Sequence, residues 1–333
     1  MLKIKKAFSE VLVIAFSVLF LLAACTPPKL AQQFTLRIGI LTTQDVLPYF
    51  VMQEQGFAKR HGLQFVETSY PGGGPIIEAI TTGSLDVGAA IGSTPILFAA
   101  ERGLIPDKIV PVAANDFADP DHPGAGVLVA HSINGWQDLK GQQIAINVKG
   151  SLTDIATKVR LQQEGISGYK LIEIPIANEG LAVAGGNVAA ATMVEPYLTQ
   201  SLLRKDGKLL GWVIGGPPFE RIPFTMIVFS TNFYRNNPQA VKAYLRAHLQ
   251  AAKWINQNLA DARAILSKCQ NLSGEVSQKI NLLRFSQDGR NDPALLESMQ
   301  PVMVKAGLLK APIPVNKLYD ETLLEEVLKE RRK

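Results

Sequence analysis

Short apolar runs alternate with helix-period stretches along most of this chain. Residues 36–41 are apolar and β-branched and read as a buried strand. Residues 48–56 follow as a helix, with Pro48 in the first-turn position that its missing N–H tolerates. Residues 63–68 alternate with period two, a second strand. Gly72-Gly73-Gly74-Pro75 opens a helix with Ile76, Ile77, Ala79 and Ile80 on one side, closed by Gly83. Residues 85–88 predict a short strand. Ser93-Thr94-Pro95 has the form of an N-cap with proline in the first turn, in a helix that Gly103 stops. Residues 109–114 and 127–131 read as strands around a loop from Asp116 to Pro123.

The pattern then restarts. Asp138-Leu139-Lys140-Gly141 is a turn and residues 143–148 a strand. Gly150-Ser151 opens a helix with Asp154 three residues after Ser151, close to a capping box; Ile155, Ala156 and Val159 form its apolar face and Gly165 ends it. Residues 171–176, 190–194, 209–214 and 224–230 predict further strands. After Asn237-Pro238 comes a long amphipathic helix carrying Val241, Tyr244, Leu245, Leu249, Ala252 and Ile255 at helical spacing. The remainder to Lys333 is helical and charged. Strands alternating with helices imply parallel sheets with helical crossovers. The restart implies two α/β lobes, residues 34–125 with 220–333 and residues 126–219, with hinge crossings near 126–131 and 224–230. Solute sites in such sheets form at strand carboxyl ends, where loops meet helix N-termini.

The N-terminus sets the compartment. Lys3, Lys5 and Lys6 precede an apolar run over residues 11–24, short for a membrane span, which predicts a signal peptide over 1–24. Leu22-Ala23-Ala24-Cys25 looks like a bacterial lipobox, which predicts that Cys25 carries a diacylglycerol. Residues 25–33, with Thr26-Pro27-Pro28, then read as a lipidated tether. The expected location is the periplasm or cell surface.

Composition narrows the chemistry. Of 333 residues, 309 remain after the leader, more than one core usually organises. Lys3, Lys5, Lys6 and Glu10 leave with it, so the net charge falls from +5 to +3. With no basic cluster, no nucleic-acid partner is expected. Cys269 alone remains beside Cys25, which excludes an intrachain disulfide and a cysteine-based metal site. His61, His122, His131 and His248 have no metal-like spacing, and no Gly-x-Ser-x-Gly, Walker or dinucleotide fingerprint is present. No metal, cofactor or catalytic residue is expected, and the chain reads as a monomer.

Five segments resemble a known family, the periplasmic binding proteins for sulfonates, taurine, nitrate and thiamine precursors. Residues 47–51 (LPYFV) with 56–63 (GFAKRHGL) are similar to its proline, helix, "G-[YF]-F-x-x-x-G-L" run. Residues 79–88 (AITTGSLDVG) look like its "A-L-x-x-G-x-x-D-x-G". Asp138-Leu139-Lys140-Gly141-Gln142 resembles "D-L-K-G-K", and Glu195-Pro196-Tyr197 its "E-P". Residues 233–254 resemble its C-terminal helix. In Gly186-Asn187-Val188-Ala189-Ala190 the chain departs from the family's "G-x-V-D-A", with Ala189 where aspartate is usual. The resemblance implies a type II periplasmic-binding-protein fold of two α/β lobes. It also implies closure around a small solute and delivery to the permease and ATPase of an ABC importer. The cargo expected is a small anion of sulfonate, taurine or nitrate type. The alternatives are a thiamine-precursor binder, or an enzyme on the same fold such as those of pyrimidine or menaquinone synthesis.

Candidate ligand residues follow from helix starts and strand ends. Helix N-termini leave N–H groups free and carry partial positive charge. Those at Gly73 and Gly74, Ser93 and Thr94, Ser151, and the short start after Asn178 are therefore candidates, each with an ordinary cap as the plain alternative. Thr43 and Gln44 follow the first strand, where Asp45 reads as a helix cap. Lys149 beside the Ser151 start is a candidate anion partner. Glu195, at a strand end, is a candidate acceptor for a ligand amine.

Overall fold

The computed structural model describes residues 33–331. The signal-peptide and lipidation expectations, including Cys25, fall outside the described residues. The predicted strands form as β1 (Phe34–Ile40), β2 (Leu63–Ser69), β3 (Val87–Gly92), β4 (Ile109–Ala118), β5 (Ala125–Val129), β6 (Gln143–Ile146), β7 (Lys170–Glu173), β8 (Ala190–Val194), β9 (Lys208–Ile214) and β10 (Ile222–Ser230). A two-residue strand, β11 (Arg284–Phe285), was not legible in the pattern.

The helices are α1 (Leu47–Glu54), α2 (Phe57–Arg60), α3 (Gly73–Thr81), α4 (Ser93–Glu101), α5 (Leu152–Gln163), α6 (Glu179–Ala184) and α7 (Tyr197–Arg204). The C-terminal third adds α8 (Thr231–Asn236), α9 (Pro238–Gln257), α10 (Leu259–Gln270), α11 (Gly274–Lys279), α12 (Pro293–Lys305) and α13 (Thr322–Glu330).

Two sheets repeat one plan. The first has the order β11-β4-β10-β3-β1-β2 and the second β7-β6-β8-β5-β9. In each, three parallel strands in the order second, first, third are followed by one antiparallel strand: β10 against β3 in the first sheet, β5 against β8 in the second. Each of those antiparallel strands enters directly from a crossing between the sheets. The crossings are residues 119–124 and 215–221, which corrects the expected positions. Residues 125–129 and 222–230 are strands bonded on both sides. A run buried on both faces has no alternation, so a central strand and a buried crossing read alike in sequence.

The crossings lie against each other. Gly124 N donates to Ile214 O at 3.0 Å, at the start of the second crossing, which is itself turned by the bond from Gly215 N to Phe219 O at 2.9 Å. Gly215 sits at φ +81°, and a Cβ there would come within 2.5 Å of Pro123 Cα, so only glycine fits.

One core packs α1 and α9 on the first sheet, with Tyr244 fully buried edge-on to Phe65 and Phe229. A second joins β5, β6 and α5 to Phe224, Leu283 and the α12 residues Leu296, Met299 and Met303. The C-terminal region thus packs on both sheets rather than on the first alone.

Candidate functional site

The carboxyl ends of both sets of parallel strands meet at a cavity of about 320 Å³. The first half contributes residues 41–43 and Asp45 after β1, Ser69 at the end of β2 and residues 70–73 after it, Gly92 and Pro95 around the start of α4, and Phe224 and Thr225 from β10. The second contributes Asn147 and residues 151–153 at the start of α5, residues 175–177 after β7, and Val194 at the end of β8. The halves also touch directly. Asn147 Nδ2 donates to Pro71 O at 3.2 Å, Thr94 Oγ1 to Gly150 O at 3.4 Å, and Tyr197 Oη to Thr42 Oγ1 at 2.9 Å.

Of the residues expected at the site, Thr43, Gly73 and Ser151 lie on this wall. Ser93 and Thr94 are wholly buried instead, because α4 begins at Ser93 itself and its cap is Gly92. Gln44 is buried behind the wall: its N–H donates to Glu195 O at 3.1 Å and its Oε1 accepts from Leu283 N at 3.1 Å. Glu195 is likewise internal, accepting from Thr199 N and Oγ1 and from Asn281 N. Burial pushes its carboxyl up, and those donors pull the other way. Gly74 and Lys149 line a separate groove with Glu78, Phe98, Glu101 and Arg102, where Lys149 faces Glu173 at 3.7 Å. Asn178 precedes α6 with no side-chain capping bond and is not on the cavity wall.

The donors expected to hold an anion are largely spent on each other. Ser151 Oγ caps α5 by accepting from Asp154 N at 3.2 Å and donates to Asn147 Oδ1 at 2.8 Å. Thr153 Oγ1 donates to the same oxygen at 2.8 Å. Thr225 Oγ1 donates to Asp116 Oδ1 at 2.7 Å. Among the described wall residues there is no lysine, arginine or histidine.

What the wall does carry is an acid. Asp45, only 3 % exposed, sits inside a short 3-10 turn (Gln44–Val46) whose N-cap is Thr43, so it is not the cap expected of it. Its Oδ1 and neighbouring Thr43 Oγ1 are buried, and neither has a hydrogen-bond partner outside this turn. Behind it lies Asp116, also buried. Asn115 Nδ2 bridges the two positions, 2.8 Å from Asp45 O and 3.1 Å from Asp116 Oδ2. Burial pushes the Asp45 carboxyl up to about 6, against the pull of the nearby Thr43 hydroxyl. Burial and the Asp45 charge together push Asp116 well above the usual carboxylate range. Two such groups titrate as a pair, each disfavouring the charged form of the other.

Sequence reasoning missed Asp116, Asn115, Tyr70, Asn147, Phe224 and Thr225. Asp116 fell in the expected loop, whereas β4 runs on to Ala118 because β10 and β11 pair with its far end. Asn147 carried a usable signal, since it lies at the end of a predicted strand.

Residues 30–269 match the NMT1-like family, most of the chain. The chain belongs to the NMT1-like family. It is also similar to YtlA of Bacillus subtilis (strain 168), 25 % identical over 94 % of this chain and 95 % of that one. Among solved structures it superposes on the alkanesulfonate-binding protein SsuA from Xanthomonas axonopodis pv. citri bound to MOPS. The TM-score is 0.71 at 20 % identity, covering 87 % of this chain and 99 % of that one. It also superposes on the periplasmic nitrate-binding protein NrtA from Synechocystis PCC 6803, with TM-score 0.75 and 17 % identity over 90 % and 89 % of the two chains. This member of the NMT1-like family therefore has the periplasmic-binding-protein fold that its motifs implied.

Proposed function

We propose that this chain is the extracytoplasmic solute-binding component of an ABC importer, a binding protein and not an enzyme. It captures one small molecule between its two halves and delivers it to a permease. The observation that carries this reading is the cavity, whose wall is drawn from the strand ends of both sheets and is large enough for a small organic molecule. The similarity to SsuA and NrtA, both named as binding proteins, supports it. Lipid attachment at Cys25 and a monomeric state belong to the same proposal, resting on Leu22-Ala23-Ala24-Cys25 and on the two-half cleft within one chain.

A sulfonate- or nitrate-like group on the cargo has one feature in its support, the starts of α3 and α5 at the cleft, whose N-terminal dipoles favour negative charge at that end of the cavity. A thermal-shift panel of alkanesulfonates, taurine, nitrate, pyrimidines and small amines tests capture itself. A true solute at a hundredfold excess over its dissociation constant stabilises by roughly 2.7 kcal/mol. A panel with no saturable, one-to-one binder contradicts the reading. For the anchor, mass spectrometry of the membrane-extracted chain should find Cys25 N-terminal and diacylated; a chain cleaved elsewhere contradicts it.

A further inference from the structure

Resting on the solute-binding reading, we propose that the cargo carries a cationic nitrogen with N–H donors that docks on Asp45, and an apolar body that fills the rest of the cavity. The carboxylate is the one fully charged group among the described wall residues, and nothing of opposite sign is placed to neutralise it. A buried charge without a partner is costly, so its natural counterpart is a charge brought by the ligand. Asp45 Oδ1 and Thr43 Oγ1, adjacent along one turn, are also the buried wall side-chain atoms with no partner from the rest of the described residues. An ammonium or amidinium presents several N–H donors and no acceptor, which suits two such oxygens. The hydroxyls of Ser151, Thr153 and Thr225 are bonded to protein acceptors, so they offer an anion little. Leu41, Pro95, Leu152, Ile176, Val194 and Phe224 supply an apolar lining for the remainder.

Helix starts at the same cleft pull the other way, because their dipoles favour negative charge. That effect falls off within one turn and is weaker than a hydrogen bond to a full charge. The carboxylate therefore sets the sign at its end of the cavity.

The test uses three probes of one shape: 2-phenylethylammonium, 2-phenylethanol and 2-phenylethanesulfonate, titrated by calorimetry into the full chain in detergent at pH 8. The ammonium should bind tightest, and Asp45→Asn should cost it about tenfold to a hundredfold while sparing the alcohol. Tightest binding by the sulfonate or alcohol, or an unchanged ammonium affinity in Asp45→Asn, overturns the inference and leaves solute capture standing. Binding by none of the three also overturns it, and capture then rests on the wider panel above. If Asp45→Asn does not fold, the wild-type pH profile decides. Ammonium affinity should fall from pH 8 to pH 5 while alcohol affinity holds. The titratable groups around Asp45 are Asp116 from β4, Tyr70 after β2 and Glu195 after β8. Ammonium binding independent of pH overturns the proposal.

Discussion

Tyr197 donates its hydroxyl to Thr42 Oγ1 at 2.9 Å, tying the first residue of α7 to the loop after β1 across the mouth of the cleft. Such ties between the halves are neutral hydrogen bonds, worth about 0.5–1.5 kcal/mol each, which suits a clamp that must reopen. Tyr197→Phe should weaken solute binding about two- to tenfold, chiefly through faster release. Stopped-flow kinetics check this; an unchanged release rate would show that the bond does not hold the closed state.

Gly72 reports on closure through packing. A Cβ at this position would lie 2.5 Å from Val148 Cγ1, which belongs to the opposite half. Its backbone is extended (φ −179°), so alanine is not strained within its own half. Gly72→Ala should fold normally and resist closing. A cost of about 1–3 kcal/mol on the closed state weakens binding about tenfold to a hundredfold. Val148→Ala in the same chain should restore much of the loss, as titration calorimetry would show. A double variant no better than the single removes the steric explanation.

The Asp45 carboxyl makes stability and function oppose each other. Its pKa rises from 3.8 to about 6 on folding. Its proton therefore favours the folded state, and the stability it contributes is full below pH 3.8 and lost as pH rises through about 6. Without solute, Asp45→Asn should be more stable than wild type at pH 8 by about 1–3 kcal/mol. The gap should close toward pH 4. Urea unfolding at both pH values measures this, and a destabilised variant at pH 8 contradicts the account.

His248 behaves in the opposite sense. It is wholly buried in α9, stacked on Tyr244 with ring centroids 6.3 Å apart, and its Nε2 has no partner. Burial lowers its pKa from 6.5 to about 4. The unfolded chain takes up this proton first, so the stability from neutral His248 is present above pH 6.5 and lost as pH falls through about 4. About 3 kcal/mol is involved. His248→Leu should flatten the acid side of the stability profile, read by urea midpoints from pH 7 to pH 4. A profile as steep as wild type places the acid sensitivity elsewhere.

Much of this architecture was legible in the chain, and the limits have physical causes. Ten of the strands are visible because apolar and β-branched runs punctuated by glycine have few other uses in a chain of this composition. β11 is too short to show a period. The crossings were displaced because Gly126 and Phe224, in strands buried on both faces, look like any buried linker. At the cleft, Thr43, Gly73 and Ser151 were found by one rule, that loops after strands meet helix starts. Ser93 satisfied the same rule and yet is wholly buried, because α4 starts one residue earlier than a serine cap implies, and Thr94 is taken up by its bond to Gly150 O in the opposite half. Asp45 was visible as a residue but not as a charge, since its burial depends on Asp116 and Asn115, about seventy positions away. No local pattern records that approach.

The central claim is reversible capture of one small solute in the cleft, and native mass spectrometry tests it most directly. The chain, incubated with a solute that binds in the panel, should show a complex of one molecule per chain, and denaturation should release that molecule with its mass unchanged. Gly72→Ala should show the same complex at markedly lower occupancy. A chain that forms no one-to-one complex, or that releases a chemically altered molecule, would contradict the account.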